Sequence, residues 1–247
     1  MKNATILITG ASDGIGLALA HHYHTQGARV LALGRRPVAA LDARLHHDYC
    51  RVDLAQPFAA AIISAFLSQR QITGLNLLIH CAGIGSYGPV AQQQTAEIDA
   101  LLHTNLYAPI VLTHALLPAL KRARGQVVFI GSVAASMPTP DYAVYTATKA
   151  GLEGFARSLR VELGQQVRVQ IVHPGATRTG MHAKIGAPLE AMGWQRFPLP
   201  EQVAKHIAHA IKRGKPIATV GLKNRVLRLA GRHLAGLVDR VAMQTKE

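Results

Sequence analysis

Tyr145 and Lys149 stand four residues apart in the run Tyr142-Ala-Val-Tyr145-Thr-Ala-Thr-Lys149, and Ser132 lies thirteen positions before Tyr145 at the end of an apolar run. Such spacing puts a phenol and an ammonium on one face of a helix. With a hydroxyl from a nearby strand end, the trio can supply a proton donor, a cation that acidifies it and a group that orients a carbonyl. Alone, a Tyr–Lys pair at this spacing is commonplace, and Ser132 reads equally well as a turn residue. A second motif far upstream changes its weight: Thr9-Gly10-Ala11-Ser12-Asp13-Gly14-Ile15-Gly16. Gly10, Gly14 and Gly16 sit between an apolar run and a helical one. There, backbone N–H groups and a helix N-terminus can meet a pyrophosphate. Together the motifs argue for a carbonyl or alcohol oxidoreductase.

The elements that must position these residues alternate along the chain. Ala4–Thr9, Arg29–Gly34, Tyr49–Asp53, Asn76–Cys81, Gln126–Gly131 and Val167–His173 are short apolar or β-branched runs, and Ile217–Val220 is expected to be a last strand. Segments of helical length lie between them, near Gly14–Gln26, Pro57–Gln69, Thr95–Arg122, Tyr142–Gly164 and Pro200–Arg213. Near-continuous apolar strands alternating with helices predict an α/β fold. It would be a doubly wound parallel sheet covered on both faces, with its ligand at the carboxyl ends of the strands. The 247 residues are read as one Rossmann-type domain: a core over 1–220, a substrate lid over 175–200 and a basic extension over 221–247. The lid expectation rests on the Gly, Pro, Met181, Met192, Trp194 and Phe197 of an irregular stretch that follows a strand end.

The second strand ends in Leu33-Gly34-Arg35-Arg36. A free ribose 2′-hydroxyl is normally held there by an acidic side chain, whereas a 2′-phosphate needs cations. Two arginines and no carboxylate favour NADP(H) over NAD(H). Asp13 in the glycine turn counts against this, being placed to repel a phosphate. Asp53, taken to close the third strand, is positioned to accept a hydrogen bond from an adenine amino group or to cap the strand end.

With these motifs in this order, the sequence resembles the short-chain dehydrogenase/reductase family over nearly its whole length, to about Val220. Thr9–Gly16 matches the family's nucleotide motif. Ser132, Tyr145, Lys149 and Asn105 match its Ser, Tyr-x-x-x-Lys and helix-borne Asn, and Pro174, Gly175 and Thr179 match a Pro-Gly and Thr after the sixth strand. Tyr142 does not compete for the Tyr role, because Thr146 stands four residues on. One departure is His80-Cys81-Ala82-Gly83 where the family has Asn-Asn-Ala-Gly; those asparagines are thought to steady the sheet beside the adenosine.

The resemblance implies that Tyr145 donates a proton to the carbonyl oxygen, with Lys149 and the positive nicotinamide ring of the oxidised complex drawing the phenol below its usual pKa of about 10, and with Lys149 holding the nicotinamide ribose. It implies that Ser132 orients the substrate oxygen and that Asn105 anchors a water on a proton path to Lys149. Thr179 would fix the carboxamide. The cofactor would lie along Gly10, Ser12, Asp13, Gly14, Ile15 and Gly16, then Arg35, Arg36 and Asp53, and past Ala82 and Gly83 to Tyr145, Lys149, Pro174, Gly175, Thr177 and Thr179.

Composition narrows the alternatives. No apolar stretch is read as reaching the roughly 18 residues that span a bilayer, and the first apolar run is too short for a signal sequence. Cys50 and Cys81 are read as buried thiols of a reducing cytoplasm. The net charge is +14, and ten Lys or Arg face only Asp239 and Glu247 from Lys205 onward. With aromatics at 5% and no basic-aromatic motif, nucleic acid is not expected as a partner. A regulator that merely senses a nucleotide has no need of the Ser–Tyr–Lys trio. Thirteen histidines, including His21, His22 and His24 on one helix and His206 and His209 on another, are read as solvated surface, with no metal.

In the tail, Leu222, Val226, Leu229, Leu234, Leu237 and Val241 follow one helical stripe, and Arg225, Arg228 and Arg232 another. The first expectation is that its apolar side packs on the domain or on a sister subunit of a homodimer or homotetramer. The second is peripheral contact with an anionic membrane. With the lid, this tail suggests a hydrophobic ketone or alcohol as substrate.

Overall fold

The computed structural model describes residues 1–244. The last three residues of the expected 221–247 extension, Glu247 among them, lie outside the described residues. Seven strands pair in one parallel sheet in the order β3-β2-β1-β4-β5-β6-β7. They are β1 Thr5–Thr9, β2 Arg29–Gly34, β3 Tyr49–Arg51, β4 Leu77–His80, β5 Gln126–Ile130, β6 Arg168–His173 and β7 Ile217–Thr219. The order reverses between β1 and β4, so the strand ends part there and open a crevice. Thr9 is in register with His80 across that junction, which brings the glycine turn beside the Cys81–Gly83 loop. The third strand stops at Arg51, so Asp53 lies beyond it. There its Oδ1 accepts the Ala55 N–H at 3.1 Å.

Strand side chains alternate between two apolar layers, as the pleat requires. Leu7, Leu31, Leu78, Val127 and Phe129 pack with helices α2 (Ala59–Gln69), α4 (Ala108–Arg122) and α5 (Ala143–Leu163). Ile6, Ile8, Val30, Ile79 and Val128 pack with α1 (Gly14–Thr25) and α7 (Pro200–Arg213). At roughly 1.5–3 kcal/mol for each fully buried aliphatic side chain, these two layers hold the sheet rigid beneath the crevice.

The expected helix Thr95–Arg122 contains an interruption. α3 (Thr95–Leu102) runs into a π-helical turn at His103–Tyr107 before α4 begins. By length and composition this helix would cross a bilayer, contrary to the sequence expectation. Its burial argues otherwise: Leu101, Asn105, Leu112, Leu116 and Leu120 are inside the protein. Helical elements outside the layers include α6 (Gly180–Lys184) and a 3₁₀ turn at Trp194–Arg196 in the 175–200 segment, then α8 (Leu222–His233) and α9 (Ala235–Gln244). The tail is therefore two helices broken at Leu234, whose φ of −126° leaves the helical region. Gly231 and Gly236, weak helix formers, flank the break.

The apolar side of the tail does not pack on the domain. Arg228 is buried, and Gly231 lies so close to the Ser136 carbonyl that a Cβ would collide with it. Leu222, Val226, Leu229, Leu234, Leu237 and Val241 are all exposed. Arg228 and Arg232 of the basic stripe turn inward because a carboxylate, Glu153, waits beneath them, whereas Arg225 stays exposed.

Candidate active site

The glycine turn leaves β1 for α1 with Gly10 at φ +69°, a conformation that favours glycine. A Cβ on Gly10 would stand 2.7 Å from the Ala82 backbone, so the loop after β4 closes directly over the turn. Thr9 ties the two together, its hydroxyl accepting the N–H groups of Cys81 and Ala82 at 3.0 Å each. His80 is a buried, hydrogen-bonded core residue. Its Nε2 lies 2.8 Å from Thr113 Oγ1, its ring stacks on Phe129, and burial pushes its pKa down to about 3. Thr9, Thr113 and this neutral imidazole tie the end of β4 to β1 and α4.

Asp13 caps α1, accepting the Gly14 N–H at 2.8 Å. Partial burial opposes its charge, but Lys184 at 2.9 Å, Arg36 at 3.5 Å and the Gly14 bond outweigh this and hold the carboxyl below its usual range. Two cations thus meet the one carboxylate that was expected to repel a phosphate. Lys184 belongs to α6, so the same ion pair links the 175–200 segment to the glycine turn.

At the end of β2, a Cβ on Gly34 would collide with the Ser12 hydroxyl, so glycine makes room for Ser12 there. Arg35 extends beside it, its Nη1 4.0 Å from Asp53 Oδ2 and the side chain mostly in solvent. Arg36 turns to Asp13 and does not line the crevice.

One cavity of about 730 Å³ runs from this turn across the carboxyl ends of the strands. It is lined by every sequence-predicted site residue except Arg36 and Asn105. Lys149 comes off the first half of α5 and donates from Nζ to the Ile130 carbonyl at 3.0 Å. It lies 5.8 Å from the centre of the Tyr145 ring. Burial pushes the Lys149 ammonium down to about 8, opposed only in part by Cys81. Burial also raises the Tyr145 phenol, and the hydrogen bond with the Ser132 side chain draws it part of the way back. In this geometry the Lys149 ammonium is directed at a backbone carbonyl.

Asn105 sits in the π-helical turn and is fully buried. Its Nδ2 donates to the Ile84 carbonyl at 2.9 Å and to Thr148 Oγ1 at 3.2 Å, while Oδ1 accepts the Ile84 N–H at 2.9 Å. Both amide hydrogens are committed to protein partners. The side chain pins α5 and the loop after β4 to the π turn, where the helix has room for one extra residue.

Sequence reasoning missed two groups. The first is a polar stack behind Ser132. His173, at the end of β6, donates from Nδ1 to the Ser132 carbonyl at 3.0 Å, and its Nε2 is 3.4 Å from Glu153. Glu153 in turn holds Arg228 at 3.1 and 3.2 Å and Arg232 at 2.8 Å. Its signal was Glu153 at four residues past Lys149, on the catalytic face of the same helix. The second is the wall opposite, where the Tyr142 hydroxyl lies 3.2 Å from His182 Nδ1 and burial pushes the phenol up to about 12. Met181 and Met192 of the 175–200 segment face the cavity, but Trp194 and Phe197 do not line it. Trp194 stacks near Arg178 and Phe197 against His182.

Comparison with known proteins agrees with this geometry. The family model described as short chain dehydrogenase matches residues 4–190. Dehydrogenase/reductase SDR family member 7B of Bos taurus is 31% identical over 239 residues, covering 87% of this chain and 72% of that protein. The ketoacyl reductase HetN of Nostoc sp. is 34% identical over 228 residues, covering 86% and 76%. A short-chain dehydrogenase from Sphingobium yanoikuyae, solved in complex with NADPH, superposes with a TM-score of 0.80 at 26% identity, over 98% of this chain and 94% of that one. Motif order, sheet topology and match over most of the length agree: the chain belongs to the short-chain dehydrogenase family of oxidoreductases.

Proposed function

We propose that the protein is an NADP(H)-preferring reductase of a ketone on a hydrophobic, acyl- or lipid-like substrate, running in reverse as an alcohol dehydrogenase. The observation that carries the reading is the convergence of Ser132, Tyr145 and Lys149 on one cavity that joins the glycine turn to an apolar pocket. The residues fit a dinucleotide: the turn is clear of side chains at Gly10 and Gly34, and the cavity is long enough to reach from Arg35 to Tyr145. When bound, NADP(H) supplies or takes up the hydride.

Tyr145 gives its proton to the carbonyl oxygen, and Ser132 shares that oxygen's hydrogen bonding and holds it within reach. At neutral pH the phenol is protonated, and the charge developing on the substrate oxygen is what draws its proton. Lys149 holds the ribose hydroxyls, and Thr179, which caps α6, holds the carboxamide end. Asn105 is a positioning residue here. Met137, Met181, Ile185, Met192 and Leu227 give the far wall an adaptable apolar surface. The 175–200 segment acts as the lid over it. The ketoacyl reductase among the relatives supports a ketone on an acyl chain, and the NADPH complex among the structures supports the cofactor.

Arg35 and Ser12 form the 2′-phosphate site, with Arg36 neutralising Asp13 beside it. Replacing both arginines, Arg35→Ala with Arg36→Ala, is expected to weaken NADPH by on the order of tenfold or more and NADH hardly at all. Equal losses for the two cofactors would refute the assignment. Lys149 gives a pH signature. With its value depressed to about 8, the ammonium is present below that pH and lost above it. NADPH affinity should therefore fall as pH rises through about 8, by up to about tenfold per unit, and Lys149→Met should flatten the profile. A wild-type titration that stays flat through this range would reject the role. The overall reading is tested by NADPH oxidation against ketones from short and soluble to long-chain acyl.

A further inference from the structure

Nearly half of the large apolar side chains exposed among the described residues lie between Leu222 and Met243. This follows from how α8 is fastened. Arg228, 3% exposed, and Arg232 are clamped to Glu153, and Leu227 lines the active-site cavity. With that side of the helix committed, the opposite side must face outward. It carries Leu222 at 77% exposure and Leu229 at 49%, with Val226 between them. On α9, Leu237 at 59% and Met243 continue the apolar surface. A solvent-facing helix ordinarily shows the reverse arrangement, its charges outward and its leucines in.

We infer that the outward face of α8 and α9 is a docking surface for an anionic lipid bilayer. Three observations favour that occupant. At 100° per residue, Leu222, Val226 and Leu229 form one narrow stripe, and the exposed Lys223 and Arg225 fall on its two flanks. This is the layout of a helix lying in a membrane interface, apolar side in the acyl boundary and cations among headgroups. Charge points the same way: Arg240 adds another exposed cation, and Asp239 is the one acid on the two helices. A second copy of this face would bring cation against cation, whereas anionic headgroups neutralise them. Finally, Leu227 is both partly exposed and part of the cavity wall, so the surface adjoins the apolar end of the pocket. An apolar substrate dissolved in the bilayer would have a short path inward.

Flotation of the full chain with vesicles tests this without any turnover measurement, so its failure and that of the oxidoreductase reading are distinguishable. The protein should float with mixed phosphatidylcholine–phosphatidylglycerol vesicles at low salt, poorly with phosphatidylcholine alone, and less as salt screens the charges. Lys223→Gln and Arg225→Gln should each weaken partitioning about fivefold. Leu229→Glu with Leu237→Glu should abolish it while leaving NADPH binding and thermal melting unchanged. No flotation with the mixed vesicles at low salt would overturn the inference. So would a concentration-dependent dimer that the Leu229→Glu, Leu237→Glu variant splits, with vesicles still unbound, because a second copy would then be the occupant. Binding indifferent to salt and to the two glutamine substitutions would also count against an anionic surface.

Discussion

Tyr145→Phe is expected to bind NADPH as the wild type does and to lose turnover by a factor on the order of 10²–10⁴, the usual worth of a positioned general acid. The substitution deletes one oxygen from a ring whose surroundings are otherwise fixed. Lys149 is held by the Ile130 carbonyl, and Thr148 by the Tyr145 carbonyl at 2.7 Å, so neither depends on the phenol. The fold and the dinucleotide site should therefore survive. Ser132 loses the partner that it shares with the substrate oxygen, and the oxygen loses its proton source. The loss should appear in kcat far more than in KM, because the missing proton transfer matters only as charge develops on the oxygen. A Phe variant retaining a tenth or more of the rate would remove Tyr145 from the role proposed for it.

Glu153→Ala is expected to be the most destabilising single change discussed. Glu153 is 6% exposed and Arg228 3%, so removal of the carboxylate strands a guanidinium inside the protein. Breaking one side of such a pair costs about 3–5 kcal/mol. For a chain of this size that lowers Tm by roughly 10 °C. Arg232, partly in solvent, can turn outward and adds little. The pairing is separable from mere packing by a cycle: Glu153→Leu combined with Arg228→Met should cost much less than the sum of the single changes. Additive losses would mean that the two side chains do not depend on each other. The stack continues through His173 to the Ser132 carbonyl, so surviving Glu153→Gln protein should also show a lower kcat, with NADPH binding little changed.

Much of this was legible in the sequence because the relevant signals are local. A strand, a glycine turn and a helix follow one another within Thr5–Thr25, and the Tyr145–Lys149 spacing is one helical turn. Near-continuous apolar runs such as Leu77–His80 predict strands buried on both faces, and both faces are buried. What was not legible depends on partners distant in the chain. Helical periodicity in the tail revealed an apolar and a basic stripe, but the inward one is chosen by Glu153, some seventy-five residues earlier. Where Lys149 is aimed depends on the Ile130 carbonyl, at the end of a strand that precedes α5. The π turn at Asn105 inserts one residue into a helix without disturbing its apolar pattern, so periodicity passes over it. The Tyr142–His182 pair is made by the fold of the 175–200 segment, whose Gly and Pro residues announce irregularity but not its path.

The central claim is that a protonated phenol serves a carbonyl at this site while reducing equivalents come from NADPH. Its most direct test is NADPH deuterated at the nicotinamide carbon that carries the hydride, incubated with a hydrophobic ketone and followed by mass spectrometry of the product. The account predicts a secondary alcohol bearing one deuterium on its carbinol carbon, formed by the wild type and nearly absent with Tyr145→Phe. Alcohol formed without deuterium, or with undiminished yield in the Phe variant, would contradict it.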